Sequence, residues 1–105
     1  MTDHSRPLAI AILGLPDRAS DFQQRTARIA VALAANVEGY ALLEIFQLPG
    51  TTRGDEPVYN AVETLAVRME VAAVILSGIV DDRRVDAMAE RVRLTVVKLE
   101  GWRPP

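Results

Sequence analysis

Two short segments, each following an apolar run, gather side chains suited to chemistry. The first, Gly14 to Ser20 (GLPDRAS), supplies Asp17, Arg18 and Ser20; the second, Ser77 to Asp82 (SGIVDD), supplies Ser77, Asp81 and Asp82, with Arg83 directly after. Carboxylates beside guanidinium groups, with hydroxyls in reach, can clamp a phosphate or hold a cation. The same residues also have plainer uses. Asp17 and Ser20 suit a turn and a helix cap, and Asp81 and Asp82 suit the first turn of a helix, where acids satisfy free amides and favour the dipole. The first segment has one glycine and a nearby proline rather than G-x-G-x-x-G or a Walker loop, so backbone donors for a phosphate are not pre-arranged. One carboxylate pair without a further acid is a poor metal site, and His4, the only histidine, lies in a polar leader with no partner. No catalytic set, metal or cofactor is expected.

Composition narrows the field further. The chain has 105 residues, half of them apolar and a quarter charged, which suits one packed core. Its net charge of −2 disfavours autonomous nucleic-acid binding, which calls for a basic face. The paired arginines at 25 and 28, 83 and 84, and 91 and 93 lie among acids and read as solvated helix faces. Cysteine is absent, so neither a disulfide nor a thiolate site is available. Residues 1–7 form a polar leader, 8–105 a single domain, and the run LAIAIL is too short for a signal or a membrane span. A cytoplasmic protein is expected.

The elements that must position these segments are legible as a periodic alternation. Apolar runs at Leu8 to Leu13, Ala41 to Phe46, Val71 to Leu76 and Leu94 to Leu99 have strand length. The first and third are almost wholly apolar, as central parallel strands are, whereas Glu44, Thr95 and Lys98 mark the second and fourth as edges. Ser20 and Gln23 form a capping-box pattern that opens a helix whose inward stripe is read as Phe22, Ala27, Ile29, Ala30, Leu33 and Ala34, with Gly39 past its end. Pro57 is expected to open a second helix with Val58, Val62, Leu65, Ala66 and Met69 inward. Asp81 or Asp82 opens a third, with Val85, Met88, Ala89 and Val92 inward. The expected fold is therefore α/β, a three-layer β-α-β-α-β-α-β with a mainly parallel four-stranded sheet in the order 2-1-3-4. Gln47 to Pro57 (QLPGTTRGDEP) is expected to be the least ordered loop, and Trp102 to pack on the sheet or at an interface.

This layout resembles the catalytic domain of serine recombinases of the resolvase and invertase family. LAIAIL, DFQQRTARIAVALAA, GYALLEIFQLPG and VAAVILSGIVDDRR resemble, in order and approximate spacing, that family's opening strand, first helix, second strand with its flexible loop, and third strand, across roughly residues 8 to 99. The resemblance implies a phosphoryl-transfer scaffold, with Y-x-R-x-S on the first strand. Here the arginine position falls at about Leu13 and the nucleophile position at about Leu15. The family's D-R pair resembles Asp82-Arg83, but strict spacing places it on Asp81-Asp82; the arginine after the mobile loop is replaced near Glu56 and Pro57, with Arg53 a poor substitute. Serine-based transfer needs the nucleophile and several fixed cations around the phosphate, and that constellation is missing.

Two readings of function follow. The first is a non-catalytic protein-interaction or regulatory domain on a resolvase-like scaffold, associating as a homodimer or with a protein partner, because surplus apolar residues including Tyr40, Tyr59 and Trp102 exceed what a small interior can hold. The alternative is a small-ligand or phosphate-binding domain using the loops after the first and third strands.

Overall fold

A computed structural model describes residues 6–99; His4 and Trp102, singled out above, lie outside the described residues. The element order is β1 (Leu8–Gly14), α1 (Asp21–Val37), β2 (Ala41–Gln47), α2 (Thr52–Met69), β3 (Ala73–Gly78), α3 (Asp82–Val92) and β4 (Thr95–Leu99). All three strand pairings are parallel, in the order β2-β1-β3-β4. The α/β fold, the sheet order and the alternation are those expected from the sequence. Among the described residues, no helix is long and apolar enough to cross a membrane.

β1 and β3 are central because their runs carry no side chain that needs water: Ala9 to Leu13 and Ala73 to Ile75 are fully buried. Alternation then sends successive side chains to opposite faces. Ile10, Ile12, Val74 and Leu76 join Tyr59, Val62 and Ala66 of α2 and Val85, Met88 and Ala89 of α3. Ala9, Ala11, Leu13, Ala73 and Ile75 face α1, which contributes only Ala27, Val31 and Ala35. One face is thus a thick layer of large side chains under two helices. The other is a thin, alanine-rich layer under one.

Three sequence expectations are corrected here. The first concerns α1, whose inward stripe is Ala27, Val31 and Ala35, leaving Phe22, Ile29 and Leu33 at 70%, 59% and 60% exposure. α1 has two apolar stripes, and the alanines of the sheet are matched by the smaller one, which lets the helix approach closely. The second concerns α2, which begins at Thr52 with Thr51 as its cap, so Pro57 lies inside it and the irregular segment shrinks to 48–51. Thr51 accepts from the Gly54 amide at 3.0 Å and Asp55 accepts from the Gly50 amide at 2.8 Å, with Leu48 buried beneath. These caps outweigh the breaking tendency of Pro57, which is exposed near the helix start. The third is a shift of β3 to Ala73–Gly78, two residues later than the apolar run.

Both sheet edges are guarded. β2 shifts register opposite Ala9/Ile10, and there Glu44 turns its carboxylate onto the Ile45 amide at 3.2 Å. β4 presents Thr95 and Lys98 outward, the latter 3.5 Å from Asp82. A bulge and charges blunt strand-to-strand pairing with other chains.

Candidate functional site

The carboxyl ends of β1 and β3 are where an open parallel sheet offers a crevice. Here the main chains of the two strand ends approach closely. Gly14 pairs with Gly78, and the Ile79 amide donates to the Gly14 carbonyl at 2.8 Å. A Cβ built on Gly14 would stand 1.8 Å from the Ile79 carbonyl oxygen, and one on Gly78 2.3 Å from that of Gly14. Gly78 also holds φ at +87°, a conformation that favours glycine. Two glycines therefore let the central strands stay paired to their ends.

The residues suggested by the sequence are dispersed around this contact. Ser20 caps α1 in a complete capping box: its hydroxyl accepts from the Gln23 amide at 3.1 Å while the Gln23 side chain accepts from the Ser20 amide at 2.8 Å. Asp17 and Arg18 are exposed, and Asp17 lies against Gly50. Ser77 is buried within β3. Asp81 caps α3 by accepting from the Arg84 amide at 3.2 Å, Asp82 sits in its first turn, and Arg83 points to solvent. The structure brings Asp17 to the β2–α2 connection and Asp81 to the α2–α3 seam, but it does not bring the two groups to one centre.

Two small hollows lie at and beside these strand ends. One, of about 230 Å³, is lined by Gly14, Leu15, Asp17, Gly50, Asp55 and Ile79. The other, of about 220 Å³, lies among Gly50, Thr51, Asp55, Tyr59, Asp81 and Arg84. Sequence reasoning missed Tyr59 and Arg84 as partners in the second. The Tyr59 hydroxyl accepts from the Asp81 amide at 3.1 Å, and burial raises its pKa above the ordinary phenol value against the lowering effect of that hydrogen bond. The Arg84 guanidinium lies 5.3 Å from the Tyr59 ring centroid and binds Glu56 at 2.8 Å and Asn60 at 3.1 Å. Its Nη1 is buried without a hydrogen-bond partner, and the ring face supplies the compensating attraction. The inward spacing of Tyr59 with Val62 and Ala66 was a readable signal; its link to Asp81, twenty-two residues away, was not.

Chemically, these polar groups are spent on one another. Asp55, Asp81 and Ser20 satisfy amides, and Glu56 neutralises Arg84. Among the described residues no three His, Asp or Glu side chains are grouped to hold a metal ion.

A different surface stands open. Phe22, Ile29, Leu33 and Val37 of α1 are 59–80% exposed. With Thr26 and Ala30, also exposed, they form an uncharged stripe on the side of α1 away from the sheet, about 22 Å long at 1.5 Å per residue. Isolated apolar side chains on a surface are ordinary; here four large ones, Phe22, Ile29, Leu33 and Val37, share one helix face. Comparison with known proteins leaves the reading to this geometry: no protein-family model matches the sequence, and no curated protein does either.

Proposed function

We propose that the chain is a non-catalytic protein-interaction or regulatory domain, on a scaffold that keeps a resolvase-like layout without its serine, and that it contacts its partner through the outward stripe of α1. The observation that carries this reading is the exposure of Phe22, Ile29, Leu33 and Val37 on one helix face. Two further features support it. The Gly14–Gly78 contact narrows the carboxyl ends of β1 and β3 to a hollow of about 230 Å³, and both sheet edges are guarded.

The test joins light scattering with a thermal-shift screen. Association, either with itself or with a co-purifying protein, is expected for the parent chain and lost in Ile29→Glu and Leu33→Glu. Nucleotides, inorganic phosphate and divalent cations are expected to leave the melting temperature unchanged, since a ligand at ~100 times its Kd would add about 2.7 kcal/mol. A strict monomer without a co-purifying partner, or a clear ligand-induced shift, sinks the reading.

A further inference from the structure

We draw no further inference here: the strongest candidate, the outward apolar face of α1 formed by Phe22, Ile29, Leu33 and Val37, is the surface already described, and nothing in the structure shows what covers it.

Discussion

The two faces of the sheet solve the same problem with different materials. Under α2 and α3 the sheet presents Ile10, Ile12, Val74 and Leu76 to Tyr59, Val62 and Met88, and the outer surface of that layer is stitched by ion pairs. Glu56 meets Arg84 at 2.8 Å and Glu63 meets Arg91 at 2.7 Å, two rungs seven residues apart on both helices. Under α1 the contact is mostly alanine, and the helix turns its larger apolar residues away from its own core. A layer finished with charge is complete in water. A layer finished with phenylalanine, isoleucine, leucine and valine keeps an apolar outer side in contact with water. Burial alone does not separate them, since both contain fully buried residues; what differs is the chemistry of the outer side.

The comparison can be broken most forcefully in the core. Ile12→Ala, under α2 and α3, and Ile75→Ala, under α1, should each cost about 2–5 kcal/mol in denaturant unfolding. If Ile75→Ala costs less than about 1 kcal/mol, the α1 layer is not a packed layer at all. Overpacking provides the next test: Ala27→Leu, set against the alanines of β1 and β3, should destabilise by about 1–3 kcal/mol. A neutral result would mean that α1 can stand off from the sheet.

Smaller effects address the α2 cap. Asp55→Ala should cost about 1 kcal/mol by removing its hydrogen bond to the exposed Gly50 amide, whereas exposed Arg53→Ala should stay within ~0.5 kcal/mol. Equal, negligible costs would restore a loose loop from Gln47 to Pro57.

The smallest effect concerns the rungs and has a definite pH sign. Hydrogen bonds from Arg91 hold the Glu63 carboxyl below the ordinary carboxylate value. A lowered folded-state pKa adds stability above the unfolded-state pKa, near 4.3, and that contribution disappears as pH falls through the lowered value. Glu63→Gln should therefore cost less than about 0.5 kcal/mol at neutral pH, discounted for solvent screening, and progressively less as the pH is lowered into the acid range. A cost in urea melts that does not shrink as the pH is lowered would assign the effect to packing instead of charge.

Much of the fold was legible because it rests on patterns local in sequence. The strand runs, the Ser20–Gln23 capping box and the inward residues Val85, Met88 and Ala89 needed only neighbours to be read. The orientation of α1 was not legible, because two apolar stripes share one helix and periodicity cannot say which meets the sheet; the alanines at 9, 11 and 73 decide it from elsewhere in the chain. Pro57 misled for a similar reason, since Thr51 and Asp55 secure a turn of helix before it. The sequence placed two loops after β1 and β3, and the structure has connections there. The way Gly14 and Gly78 close on each other depends on strand ends sixty-four residues apart and left no local mark.

The position of β1 also bears on how the protein is made. It precedes both of its neighbours in the chain, yet it lies between β2 and β3. A ribosome therefore releases a wholly apolar strand that can pair on one side once β2 emerges but stays open on the other until residues 73–78 follow. During synthesis that unpaired edge has no bulge or carboxylate to shield it, in contrast to the edges of the finished sheet. Premature termination or a pause between α2 and β3 should thus yield nascent chains that require chaperone protection and that aggregate far more readily than the complete domain.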